Sequence, residues 1–386
     1  MRNGIFKKLT AICVLGLFCA PEFIFAAPGN VVSAKEKIIK TSIEIKGFGV
    51  LALQKSHNNG HSTTQLIVKK PGNVTIVADT YEGLEPFELL KCDFDKDSNP
   101  EIIATLRYSD SQNVIPYVYT FTDSIERVFP NENQEADLLN CREVFVSQCN
   151  SNPSLCLKYQ ISYHDFGPPE LFKLEMYTMQ NKGRLTLAKV GYNEGNHYNQ
   201  LMNLAGEYMH NGRTKEAAVL YHKALTSSTG DMPQTAIAEG LYSEAEAMKY
   251  SGQYQEAIKL YEKLVLEYTE SNFTEIAQRE LEFLFANQKT PALLNDYFSI
   301  QSDINSNKPD VALEKLERLI KENPQCPIMD RILFTKAEIL VSENQLEKAV
   351  SVYKSIKVNF PESTLVDAVD IMLEDLESKP VDNDEL

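Results

Sequence analysis

Within the run Asp93-Phe94-Asp95-Lys96-Asp97-Ser98-Asn99-Pro100-Glu101, carboxylates alternate with other residues until a β-type stretch begins at Ile102. Alternate carboxylates on a turning loop converge on one point, and calcium takes hard oxygen donors at about 2.3–2.6 Å. The candidate ligands of a structural calcium ion (Ca2+) are the side chains of Asp93, Asp95, Asp97 and Glu101 with the backbone carbonyl of Asn99. The competing reading is an Asp-rich turn that holds no ion. A fainter copy, Gln148, Asn150 and Asn152 before Ser154, has no carboxylates and is expected to bind nothing.

Catalytic chemistry has no comparable signal. No nucleophile elbow, phosphate loop, dinucleotide fingerprint or zincin helix occurs. His57 and His61 flank Asn58-Asn59-Gly60, and His164-Asp165 stands beside Gly167-Pro168-Pro169 without a nucleophile to serve. His197, His210 and His222 fall in helical sequence, where packing or surface roles are expected. The expectation is a protein that is not an enzyme.

The first 27 residues carry Arg2, Lys7 and Lys8, an apolar run from Leu9 to Ala20, and the small residues Ala26 and Ala27. This pattern is that of a secretory signal peptide. Pro21 and Glu22 keep the apolar run shorter than the roughly 20 residues a spanning helix needs. Export is therefore expected, to the periplasm or beyond the cell, with no transmembrane span after cleavage.

Five of the seven cysteines lie beyond this segment: Cys92, Cys141, Cys149, Cys156 and Cys326. In an oxidising compartment Cys149 and Cys156 are the candidate disulfide, worth about 2 kcal/mol. Buried free thiols are the equal alternative. The net charge of −16 is spread along the chain and argues against nucleic acid as a partner.

The elements that would position these residues change character near residue 192. From Ile43 to Lys189, short runs rich in Val, Ile, Tyr, Phe and Thr are broken by Gly, Asn, Pro and Asp, as strands are. Lys70-Pro71-Gly72-Asn73 and Gln180-Asn181-Lys182-Gly183 read as hairpin connections. An antiparallel β domain is expected over residues 38–190, as a sandwich or an open blade-like sheet. After Gly191 the apolar period becomes 3.6, which predicts amphipathic helices over 196–376. An extra helix is expected between Asn272 and Leu294, stopped by Pro291, and residues 377–386 read as an acidic flexible tail.

The helical half repeats one phrase: Gly212, Ala217, Tyr221; Gly252, Ala257, Tyr261; Asn307, Ala312, Leu316; Asn344, Ala349, Tyr353. Ala205, Ala245 and Ala337 precede the second-helix alanines by twelve residues, supplying small residues where helices cross. The third copy has Ile300 at that place. This half resembles a tetratricopeptide repeat array, with repeat spacings of 40, 55 and 37 residues against about 34 in the family. The lengthened copies are similar to periplasmic repeat proteins of outer-membrane assembly and the Tol-Pal system.

The resemblance implies a groove lined by the first helix of each hairpin, which binds segments of other proteins. The matching positions are Asn199, Met202, Met209, Glu239, Tyr242, Glu246, Lys249, Arg331, Phe334 and Glu338. The acidic loop resembles the calcium-binding turns of FG-GAP and VCBS β repeats, with Ser98 where those turns carry glycine.

The expectation is an exported, non-enzymatic protein-protein interaction scaffold of the bacterial cell envelope. The second expectation is calcium-dependent recognition of a glycan or surface protein by the β domain, the repeats serving as spacer or homo-oligomerisation device. A non-catalytic subunit of a secreted enzyme complex is a third.

Overall fold

The computed structural model describes residues 41–58, 61–109, 111–121, 124–130, 138, 140–180, 183–193, 195–305 and 308–378. The N-terminal segment 1–27, the tail from residue 379 and Asn307 lie outside the described residues. The chain forms two compact units, one of strands and one of helices, and the segment Tyr163–Pro168 belongs to the helical one.

The β unit consists of three antiparallel sheets of four strands, each a meander in chain order. They are β1 (Ser42–Ile45), β2 (Gly49–Asn58), β3 (His61–Lys70) and β4 (Val74–Glu82); β5 (Leu84–Cys92), β6 (Glu101–Tyr108), β7 (Ile115–Phe121) and β8 (Ile125–Phe129); β9 (Cys141–Cys149), β10 (Asn152–Ile161), β11 (Leu171–Gln180) and β12 (Arg184–Tyr192). The expected antiparallel β domain is borne out, and its strands form three four-stranded sheets that share one core. That core draws Leu51 and Leu66 from the first sheet, Ile102, Ile103 and Leu106 from the second, and Leu155 and Tyr177 from the third.

The middle sheet is buried on both sides, since Glu101 to Leu106 are consecutively buried and alternate residues point to opposite faces. Burying each large apolar side chain there contributes roughly 1.5–3 kcal/mol. The first and third sheets expose Val74, Ile76 and Val77, and Leu187 and Val190.

The register overturns the candidate disulfide. Cys149 faces Asn152 and Cys156 faces Phe145, so the two cysteines stand four residues apart along the ladder. At about 3.3 Å per residue that is roughly 13 Å, beyond the ~7 Å between Cα atoms that a disulfide can bridge. All five described cysteines are free thiols. Burial pushes Cys141 up to about 12 and Cys156 up to about 11, which disfavours the reactive thiolate.

Ten helices are described: α1 (Tyr198–His210), α2 (Thr214–Ser227), α3 (Gln234–Tyr250), α4 (Tyr254–Glu267), α5 (Thr274–Asn287), α6 (Pro291–Asn305), α7 (Pro309–Glu322), α8 (Met329–Ser342), α9 (Leu346–Asn359) and α10 (Val366–Ser378). The helical hairpins are α1–α2, α3–α4, α6–α7 and α8–α9. Gly212, Gly252 and Asn344 turn the chain between partners with φ of 66°, 79° and 58°, the left-handed region that Gly and Asn tolerate.

The crossing alanines Ala205, Ala217, Ala245, Ala257, Ala312, Ala337 and Ala349 are fully buried, and so are the fillers Tyr261, Leu316 and Tyr353. Ile300 is buried as well, in the same cluster as Ala312 and Leu316. The extra helix is corrected: it ends at Asn287, and Pro291 opens α6 instead of stopping α5. Proline lacks an N–H that the first turn leaves unpaired anyway, so it suits a helix start. No described helix is long and apolar enough to cross a membrane.

Candidate interaction face and acidic loop

The acidic loop joins β5 to β6. Lys96 and Ser98 take left-handed backbone conformations that fold the loop inward. The Asp93 carboxylate accepts hydrogen bonds from the backbone N–H groups of Asp97 and Ser98, both at 3.1 Å. Glu101, buried at the start of β6, accepts from the Phe94 N–H at 2.9 Å. Carboxylate oxygens of Asp93, Asp95 and Glu101 lie within 4.8 Å of one another.

Asp97 does not join them, because its carboxylate takes the Asn99 backbone N–H at 2.6 Å and the Asn99 Nδ2 at 3.1 Å. Lys96 points elsewhere, donating to the Ser151 carbonyl and to Asn152 Oδ1 in the neighbouring β9–β10 turn. That turn, the faint copy, is a tight hairpin with Asn150 and Ser151 both at positive φ.

Burial pushes Glu101 up to about 7, with Asp95 and Asp97 adding to it against the Phe94 N–H. The carboxylates of Asp93, Asp95 and Glu101 are the residues of this loop that could hold a divalent ion. The folded state holds the Glu101 proton more tightly than the unfolded chain, so its stabilising contribution is complete below about pH 4.5 and is lost as pH rises through about 7. Glu101→Gln is therefore expected to stabilise the β unit at pH 8 by roughly 1–2 kcal/mol and to flatten this slope. Thermal unfolding from pH 4 to 8 checks this; parallel curves for both proteins would contradict it.

The helical face is more densely built. Lys249 on α3 is buried, with Nζ 2.5 Å from Glu246 Oε1 and 2.8 Å from Glu280 Oε2 on α5. Arg331 on α8 reaches the other Glu280 oxygen at 3.1 Å, so one ladder of alternating charge crosses three helices. Tyr261 also donates to Glu246. Burial works to raise Glu280, yet Lys249 and Arg331 together hold it down at about 2. Burial likewise opposes the charge on Lys249, and the two carboxylates outweigh it.

The six residues Tyr163–Pro168 lie against the same helical face. Asn203 on α1 clamps their backbone: Oδ1 accepts from the N–H groups of Tyr163 (2.6 Å) and His164 (2.9 Å), and Nδ2 donates to the His164 carbonyl (3.0 Å). Asn199 donates to the Gly167 carbonyl. The His164 ring bridges Glu239 Oε1 (2.5 Å) and the Tyr221 hydroxyl (3.1 Å) and stacks on Phe166. Tyr163 donates to Glu207 and covers Gly206.

A Cβ at Gly206 would lie 2.6 Å from the Tyr163 Cβ. Alanine for glycine in a helix usually gains up to ~1 kcal/mol. Here Gly206→Ala is expected to cost roughly 1–3 kcal/mol, because the obstructing atom is fixed to backbone. Chemical denaturation decides the sign.

These contacts sort the ten residues expected to meet a partner. Met202, Tyr242, Glu246 and Lys249 are buried, which is a correction: they hold the unit together instead of facing outward, while Asn199 is buried beneath the 163–168 segment that it binds. Met202 fills the first hairpin, and Tyr242 packs on Phe273 and Tyr261. Glu239 is engaged with His164, and Met209 is half-buried between two clusters. Arg331 and Phe334 are half-buried, and Glu338 is exposed. Asn203 and Glu280 carry no signal in the sequence, and His164, which has no nucleophile to serve, binds Glu239 and Tyr221 instead.

The histidines have structural surroundings. His197 caps α1 by accepting from the Asn199 N–H at 3.2 Å, and His222 meets Glu244 at 3.0 Å. The side chains of His57 and His61 lie outside those described.

No curated protein matches the chain. The family model of the tetratricopeptide repeat matches residues 239–271, which cover α3 from Glu239 onward, α4 and the turn that follows. This match and the run of helical hairpins support tetratricopeptide-like repeats in the helical unit, and such repeats suggest a scaffold for protein-protein interaction.

Proposed function

We propose that the protein is an exported, non-enzymatic scaffold of the bacterial cell envelope that holds a partner protein on the first-helix face of its repeats. The observation that carries this reading is the seating of Tyr163–Pro168: this face grips a polypeptide segment through Asn199 and Asn203 to its backbone and through Glu239 and Tyr221 to a side chain. The later hairpins carry other side chains at these places, Glu239 and Ser243 or Arg331 and Thr335, and on this reading their exposed groups would hold a segment of another protein. Export rests on the N-terminal 27 residues.

The second reading, calcium-dependent recognition through the β unit, is favoured by the convergence of Asp93, Asp95 and Glu101. Bound calcium would supply charge and rigidity to the β5–β6 loop.

Affinity capture from crosslinked envelope extracts, using the chain without residues 1–27 in parallel calcium and chelator buffers, tests the two. A protein partner retained in both buffers, and by Asp95→Asn, is the expected result. Capture that needs calcium and is lost in Asp95→Asn would transfer the function to the β unit.

A further inference from the structure

The four helical hairpins can be compared position by position, because their crossing alanines fix the alignment. One residue after Ala205, Ala245, Ile300 and Ala337 stand Gly206, Glu246, Gln301 and Glu338. The first three are satisfied within the fold. Gly206 is covered by Tyr163, Glu246 binds Lys249 and Tyr261, and Gln301 Nε2 donates to Tyr297 at 3.1 Å and Thr335 at 2.9 Å.

Glu338 has none of these partners. The equivalent of Lys249 is Val341, which brings no cation. The equivalent tyrosines tell the same story: Tyr221 meets His164, Tyr261 meets Glu246, and the buried Tyr353 hydroxyl has no hydrogen-bond partner. Tyr353 lies within electrostatic reach of Glu338, and its ring packs edge-on against Phe334 at 5.5 Å. Glu338 is exposed on α8, and crowding by the surrounding protein raises its pKa to about 7.

We infer that the fourth hairpin carries an open subsite for a lysine side chain of the partner protein. Its ammonium would pair with Glu338 and accept the role that Lys249 fills in the second hairpin, its methylenes would lie on Phe334 and Val341, and the Tyr353 hydroxyl would gain a polar neighbour. The chemistry is an ion pair supported by apolar contact, at a place where the fold leaves an exposed carboxylate unpaired and a buried hydroxyl without a hydrogen-bond partner. This rests on the reading of the helical face as the partner surface and adds what that face selects.

The test uses the full mature chain and a short probe, acetyl-Ala-Leu-Lys-Leu-Ala-amide, beside its norleucine counterpart. Titration followed by NMR is expected to show lysine-dependent shifts at Glu338 and Tyr353, and at least tenfold weaker binding in Glu338→Gln. Val341→Lys, which copies the second hairpin, is expected to fill the subsite from within and abolish probe binding. Equal binding of the two probes, no binding at millimolar concentration, or undiminished binding to Val341→Lys would overturn the inference. Partner capture that depends on Phe334 yet survives Glu338→Gln and Val341→Lys would overturn it while leaving the scaffold reading in place. Capture independent of Phe334 would remove that reading itself.

Discussion

Lys249→Met is expected to destabilise the helical unit by about 3–5 kcal/mol, the cost of leaving buried carboxylates without their cation. Lys249 is 3% exposed and contacts Glu246 and Glu280 on separate helices. Methionine matches the stem in length, so a packing defect contributes little and the loss reports the charge. Glu246 suffers most, since its second oxygen is already buried without a partner. Adding Glu246→Gln to Lys249→Met should recover part of the loss, and urea unfolding of the three proteins measures it. A loss below about 1 kcal/mol would show that the ladder is solvated.

The ladder also sets an acid limit. Glu280 is held down at about 2 from an ordinary 4.5, so its contribution is present above about pH 4.5 and is lost as pH falls towards 2. Wild-type stability should decline across that window, and Lys249→Met should decline less.

Asn203→Ala is expected to cost about 2–4 kcal/mol, because it strips two backbone N–H groups and one carbonyl of the 163–168 segment of their partners. Asn203→Asp keeps the acceptor and loses the donor, so a smaller loss is expected. Hydrogen exchange at Tyr163 and His164 should quicken in Asn203→Ala. Unchanged protection there would mean that the His164 ring, held by Glu239 and Tyr221, suffices to fix the segment.

Much of this architecture is legible in the sequence where the physics is local. Period 3.6 with alanines twelve residues apart locates the hairpins, because only a small side chain lets two helices cross closely. Alternation and turn residues locate nearly every strand. Strand β8 is missed, since Glu126 and Arg127 interrupt its alternation, and β1 and β2 read as one run from Ile43 to Gln54. Pro291 misled because proline ends one helix and starts another by the same missing N–H.

Cys149 and Cys156 are neighbours in sequence, yet register, which depends on the Asn150-Ser151 turn, separates them. The acidic loop was legible as a cluster, but the withdrawal of Asp97 towards Asn99 depends on loop conformation. Least legible was the face itself. Tyr163 and His164 meet Asn203 about forty residues away, and Glu280 meets Lys249 and Arg331 across three helices. Periodicity finds a buried face and is silent on which polar side chains will meet across it.

The measurement that bears most directly on the scaffold reading is site-specific photocrosslinking in the envelope, with a photoreactive phenylalanine analogue at one of three positions. Position 334 lies on the first-helix face, position 219 on a second helix, and position 77 on the β unit, the last two being exposed valines. The account predicts a discrete protein adduct from position 334 and none from 219 or 77. An adduct from 77 or 219 with none from 334 would contradict it.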